Sequence, residues 1–391
     1  MSPAFPAGRA AKRRALLDAV ERVRDVVAAH ADEAERLATL PPATVAALED
    51  AGLLALKLPA VLGGAEAEPA TQIDVIEALS AVDASAGWCL MVGATTVALP
   101  GVFLADDALA TMFAGGRIPR AAGCYMPTGH AVEVAGGYRV TGRWAYASGI
   151  RHAAWVSGTA RVVRDGTPTD ERRAFVVPVG DVEVHDTWRV AGLRGTGSCD
   201  FSVADFFVAA DFTWDMQHAV PRRGGALYRL GLPGFVANEH AAFALGVARR
   251  ALDEIAGLAA SKTRGLKPSP LAERPAFQRF LAEAGLRLRA ARALAVEVNE
   301  AAWATVAGGA TLAGCQHAEL RSAAVLATEA ALHAVTGAFR YAGGSALYES
   351  SVLQRCLRDL NAGAQHFMVS DSAYEGLGRF RLVLPGADPM A

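Results

Sequence analysis

The stretch AVEVAGGYRVTGRWAYASG, residues 131–149, decides how this chain is read. Gly136 and Gly137 sit between AVEV and YRVTGRW, two runs of β-forming residues, so the pair predicts a hairpin. Downstream, AAWVSGTARVV (153–163), RRAFVVPV (172–179) and DFSVADFFV (200–208) read as further short strands, separated by Gly, Pro and Asp. The block 119–215 is therefore expected to be a small β domain, a barrel or a sandwich. On both sides the pattern changes. RALLDAVERVRDVVAAHADEAERLATL (14–40) has apolar residues three and four apart, the period of an amphipathic helix. Pro41-Pro42 is predicted to open a second helix, ATVAALEDAGLLAL (43–56), and Gly63-Gly64 to end that segment.

Beyond residue 216 three long helical patterns follow: 235–264, 276–307 and 315–339. Each is much longer than an average helix, and in succession they predict an antiparallel bundle with short connections. The outline is an N-terminal helical domain (1–118), a central β domain (119–215) and a C-terminal helical bundle (216–391). No internal repeat interrupts it.

With 391 residues, 52% hydrophobic and 20% charged, the chain is long and apolar enough for substantial cores. A formal net charge of −2 gives no electrostatic reason to expect nucleic acid or an anionic membrane as partner. The cluster Arg9, Lys12, Arg13, Arg14 is followed by Asp18 and Glu21 and reads as a solvated helix face. The opening residues lack the apolar segment of a signal peptide, and no run of about 18 uninterrupted apolar residues predicts a spanning helix. Five scattered cysteines without a CxxC fit reduced thiols in a cytoplasm, not a disulfide frame or a zinc site.

Familiar site signatures are missing: there is no GxGxxG after a strand, no GxxxxGK[ST], no HExxH and no GxSxG. His317 and His333 have no second ligand at matching spacing, so structural or surface roles and no metal are expected. Four stretches remain: CYMPTG (124–129), GRWAYASG (142–149), WRVAGLRGTGS (188–198), and GGSAL (343–347) with LQRCLRD (353–359) and Gln365-His366 beyond.

The order and spacing of these stretches resemble the acyl-CoA dehydrogenase superfamily over nearly the whole chain. Within it they are most similar to the two-component flavin monooxygenases. The resemblance implies an α+β fold: an N-terminal helical domain, a small central β-barrel or sandwich, and a C-terminal four-helix bundle. It implies that an isoalloxazine ring lies between the β domain and the bundle, with Ser148 hydrogen-bonding the flavin N5 region. Trp144 would lie along that ring, and Tyr125 and Thr128 would line it. Arg264 resembles the arginine that reaches the flavin phosphate of a neighbouring subunit, and Gly343 and Gly344 would let backbone approach the cofactor. His366, after Arg358-Asp359, matches a histidine that moves a proton beside the flavin. Arg358 and Asp359 themselves are expected to form a structural ion pair.

The same resemblance separates two chemistries. A true acyl-CoA dehydrogenase places a glutamate in a Y-E-G-T turn soon after the R-D pair. Here Tyr374-Glu375-Gly376 lies too far on and Leu377 replaces the threonine, so Glu375 reads as a helix residue. The expectation is a monooxygenase: a separate flavin reductase supplies FMNH2 or FADH2, which reacts with O2 to give a C4a-hydroperoxide. Its distal oxygen passes to an apolar, aromatic or heteroatom-containing small molecule. An FAD-dependent acyl-CoA dehydrogenase and a non-catalytic binding member of the fold are the alternatives. Relatives carry a further histidine near Val92–Thr96 where this chain has none, and GWCLMVGATTVAL (87–99) suggests an apolar substrate wall. A homotetramer in the cytoplasm is implied as well, and the small residues Ala291, Ala293 and Ala295 suit close helix packing.

Overall fold

Gly136 adopts φ +80°, the left-handed conformation that a tight hairpin turn demands, and it joins two long antiparallel strands. The structure, a computed structural model describing residues 5–263 and 269–390, begins with α1 (Arg9–Ala29), α2 (Ala31–Leu37), α3 (Pro42–Asp50), α4 (Pro69–Ser80), α5 (Ala84–Phe103) and α6 (Asp106–Met112). Seven strands follow: β1 (Ala121–Val134), β2 (Gly137–Ala147), β3 (Trp155–Arg164), β4 (Thr167–Pro178), β5 (Glu183–His185), β6 (Cys199–Ala209) and β7 (Thr213–Asp215). After the single turn α7 (Gly231–Gly234) come α8 (Ala237–Ala259), α9 (Pro275–Ala307), α10 (Gly314–Ala342), α11 (Val352–Gly363) and α12 (Ser372–Arg381). The expected helix–β–helix order holds. The helix predicted over 43–56 stops earlier, because Gly52 turns left-handed (φ +74°) and only a 3-10 turn, Leu53–Ala55, continues it.

The chain divides into two compact units that do not follow sequence order. The first comprises residues 1–67, 88–189 and 194–228. Its strands make one mixed sheet in the order β5-β6-β2-β1-β3-β4-β7, in which only β1 and β3 run parallel. β2 and β4 are three places apart, roughly 14 Å in a flat sheet. Yet the Trp144 ring on β2 lies 5.1 Å from Phe175 on β4 and 5.1 Å from Phe201 on β6. The sheet therefore curls around Trp144, whose indole N–H donates to Thr159 O (2.7 Å) and whose side chain is fully enclosed. A second apolar cluster packs Val97 of α5 and Ala108 and Met112 of α6 against Ala174, Val176 and Trp214. Lys12 corrects the reading of a solvated basic face: Arg9, Arg13 and Arg14 are exposed, but Lys12 is buried and donates to Glu66 O (3.4 Å).

The second unit comprises residues 68–87, 190–193 and 229–391. α8, α9 and α10 pack together as the long patterns predicted, and α4, from the N-terminal helical stretch, lies against α8 and α9 as a fourth member. Its attachments are polar as well as apolar. Gln72 accepts from Asn238 Nδ2 (2.8 Å), while Arg292 Nε donates to Glu77 (2.6 Å) and its other end pairs with Asp74. The crossing is close: a Cβ on Gly246 of α8 would stand 2.4 Å from Glu77 O. The unit also holds the short segment 190–193. Asp359 on α11 accepts from Leu193 N–H (2.7 Å), and Arg358 donates to Ala191 O. The R-D pair is structural, then, by bonding backbone.

α5 is long and apolar enough to cross a bilayer by length and composition, but 78% of its most apolar window is buried inside the protein, as in a core helix.

Trp144→Ala is expected to cost about 3–5 kcal/mol by urea unfolding, the range for emptying an aromatic core site. Tyr146→Ala, two residues on and 71% exposed, should cost less than about 1 kcal/mol.

Candidate active site

The turn that follows β2 is set by backbone bonds. Tyr146 adopts φ +65°, Ser148 N–H donates to Tyr146 O (2.9 Å), and Gly149 (φ +78°) donates its N–H to Thr196 O (2.8 Å). With the backbone fixed, the Ser148 side chain meets three polar groups. The Trp88 indole N–H donates to Ser148 Oγ (3.1 Å), Ser148 Oγ and Ser198 Oγ lie 2.7 Å apart, and Ser198 Oγ and Thr196 Oγ1 lie 2.7 Å apart. Cys89, one residue after Trp88, donates its thiol to Thr196 O (3.8 Å). All four side chains of the hydroxyl–indole chain are buried. An indole only donates, and each hydroxyl has one proton and two lone pairs, so Trp88 occupies one lone pair of Ser148 permanently.

Beside this turn lies a cavity of about 20 Å³, room for about one water molecule. Leu48 and Leu54 form its apolar wall, and Arg120, Ser148, Gly149 and His152 its polar one. Burial, reinforced by the Arg120 charge, pushes the His152 imidazole down to about 4, and its Nδ1 has no hydrogen-bond partner. Arg120 donates to His152 O (2.7 Å) and pairs with Glu49 (2.6 Å).

The other residues singled out on this unit fare differently. Tyr125 packs near Trp214 (centroids 6.4 Å), and its buried hydroxyl faces Ser157, with its pKa raised by burial. Thr128 is exposed and spends its hydroxyl proton on Arg143 O (2.8 Å). Trp144 does not lie along any open surface. It is the enclosed core residue around which the sheet curls, and Gly129, Gly142 and Gly158 all leave room for its ring. The aromatic that the turn does present is Tyr146, edge-on to Trp188 at 6.2 Å. Two residues apart, the two rings would share a face in a regular strand; the bulge between Trp144 and Ala147 and the left-handed Tyr146 (φ +65°) turn one inward and the other out.

On the second unit, His366 precedes a 3-10 turn, Phe367–Val369, and its Nδ1 accepts from Met368 N–H (3.3 Å). Burial holds its pKa down to about 4. The ring is therefore neutral near pH 7, and because Nδ1 accepts, the proton sits on Nε2. The His240 ring from α8 stacks on it, centroids 4.2 Å apart at 26°. His240 was not singled out in the sequence, where NEHAAF reads as ordinary helix. Gly343 ends α10 at φ +63°, and Gly344 next to it is exposed, with open space where a Cβ would be. Glu375 lies exposed on α12. Arg264 lies outside the described residues.

Residues 11–108 match the acyl-CoA dehydrogenase N-terminal domain family, and residues 239–371 match the acyl-CoA dehydrogenase C-terminal domain family. The chain is 32% identical over 381 residues to indole-3-acetate monooxygenase of Pseudomonas putida, covering 96% of this chain and 95% of that protein. Its structure is similar to the crystal structure of 3-HSA hydroxylase from Rhodococcus sp. RHA1, with TM-score 0.89, 25% identity, and 96% and 99% of the two chains covered. It is also similar to XiaF from Streptomyces sp. in complex with FADH2 and glycerol, with TM-score 0.87, 26% identity, and 98% of each chain covered. The chain belongs to the acyl-CoA dehydrogenase family, in its flavin-dependent monooxygenase branch.

The two neutral histidines make stability depend on acid. Each binds a proton in the unfolded chain below about 6.5 but in the folded protein only near 4, so its contribution is full above 6.5 and lost as pH falls toward 4. Flavin-free protein is expected to lose stability through this window by up to about 1.4 kcal/mol per pH unit for each ring. His152→Gln and His366→Gln should each flatten the slope of urea-unfolding free energy against pH.

Proposed function

We propose that this chain is the oxygenase component of a two-component monooxygenase, taking reduced FMN or FAD from a separate reductase. Bound reduced flavin would supply the two electrons that, with O2, place one oxygen atom in the substrate and release the other as water. The observation that carries the reading is the hydroxyl of Ser148. It is buried, fixed by a donor-only indole, and its single proton goes either to Ser198 or to a ligand.

The donor set fits a flavin edge. On the first unit Ser148 is the donor for a ring with acceptor positions, and exposed Tyr146 supplies an aromatic face in place of Trp144. Tyr125 and Thr128 line the neighbouring strand in this reading, Gly343 and Gly344 let backbone approach, and Arg264 binds the flavin phosphate. His366 gives or takes its proton at Nε2, with His240 holding the ring plane. The buried surroundings of Ser148 exclude water from the reacting edge. The substrate is an apolar aromatic or heteroatom-containing small molecule, and indole-3-acetate, for which the Pseudomonas putida relative is named, is the first probe.

The exposure of Leu286, Leu326, Leu347, Tyr348, Leu382 and Val383 on the second unit supports a homotetramer. A cytoplasmic location and the absence of nucleic-acid or membrane partners complete the proposal, in line with the small net charge. Light scattering of the purified protein is expected to give four times the chain mass.

In the decisive experiment, protein loaded anaerobically with FMNH2 or FADH2 is mixed with O2, and flavin oxidation and H2O2 release are followed together. Two-phase oxidation with delayed H2O2 release is expected, and Ser148→Ala should speed that release roughly tenfold or more. Single-phase oxidation at the free-flavin rate in the unaltered protein would overturn the assignment.

A further inference from the structure

We infer that Ser148, Ser198 and Thr196 form a reversible hydroxyl relay, anchored by Trp88, that lets Ser148 act as acceptor toward reduced flavin and donor toward oxidised flavin. The inference rests on the proposal that Ser148 faces the flavin N5 position.

The argument is one of proton counting. Ser198 Oγ lies between two other hydroxyls at 2.7 Å each, so its single proton goes to one of them and its lone pair receives from the other. In one direction Ser148 donates to Ser198 and Ser198 to Thr196. Ser148 then accepts from Trp88 and keeps a second lone pair for a ligand N–H. In the other direction Thr196 donates to Ser198 and Ser198 to Ser148. Both lone pairs of Ser148 are then filled, one by Trp88 and one by Ser198, and its own proton must point at the ligand. Trp88 cannot reverse, because an indole nitrogen has no acceptor capacity.

Burial makes the count binding. Thr196, Ser198, Ser148 and Trp88 are 0%, 2%, 6% and 8% exposed, so solvent does not make good a mismatched hydroxyl. The two directions answer the two chemical states of N5, which carries a hydrogen in reduced flavin and a bare lone pair in oxidised flavin. A rotation of three O–H bonds, with no heavy atom moving, matches the protein to either.

Thr196 is a positioning residue in this scheme, and its test separates it from a structural role. In Thr196→Val, Ser198 has only Ser148 to donate to, which fills the Ser148 lone pair and forces its proton outward. Affinities for oxidised and for photoreduced FMN and FAD are measured anaerobically, with the midpoint potential of the bound flavin read spectroscopically. Thr196→Val should weaken reduced flavin about tenfold relative to oxidised flavin, a shift of about 30 mV for a two-electron couple. Thr196→Ser, which keeps the hydroxyl, should retain the original ratio. Equal weakening of both redox states by Thr196→Val, or the same shift in Thr196→Ser as in Thr196→Val, would overturn the relay. Ser148→Ala decides the underlying proposal separately: unchanged affinity for both redox states would mean that Ser148 does not face the flavin.

Discussion

Enclosure of the Trp144 indole is the constraint on which the first unit depends. A ring between Phe175 and Phe201, with its N–H tied to Thr159 O, brings strands three places apart in the sheet onto one core. That fixes the end of β2, and the turn carrying Tyr146, Ser148 and Gly149 leaves the core at a defined point. The polar chain from Trp88 through Ser148 to Thr196 then completes a site whose heavy atoms are fixed and whose hydroxyl protons alone can turn. Groups held in this way answer a change in a ligand's charge without moving a heavy atom.

The second unit solves a different problem. α4 is almost wholly buried, and it carries Asp74 and Glu77 into contact with α9 and α8. Both carboxylates find arginines, as burial of a charge requires. The same bundle holds His366 between a backbone N–H and the His240 ring, leaving an imidazole that is neutral and protonated on a known nitrogen. Burial, not a neighbouring charge, is the cause of its lowered pKa, so its state is built into the packing.

Some of this was legible in the residues. Gly136-Gly137 between β-formers gave the hairpin, and the three- and four-residue spacings gave the long helices, because both signals are local. Ser148 stood out from its turn motif and His366 from its distance to Arg358-Asp359. Trp144 was misread because periodicity says that a strand residue faces one side, not whether that side is the core or a ligand. Lys12 was misread for a related reason: a charge on an amphipathic helix reads as solvated unless its partner, here Glu66 O, is known.

The sequence by itself determined the class of fold, the succession of elements and the chemical types available, since these follow from short-range period, turn chemistry and side-chain inventory. It could not place α4 with helices more than 150 residues away, stack His240 on His366, or bring Trp88 to Ser148 and Ser198. Those contacts join residues distant along the chain, and no local pattern encodes which of many buried groups will meet. Only the tertiary structure decided which hydroxyls can pass a proton between them, because that depends on what each buried donor and acceptor already holds.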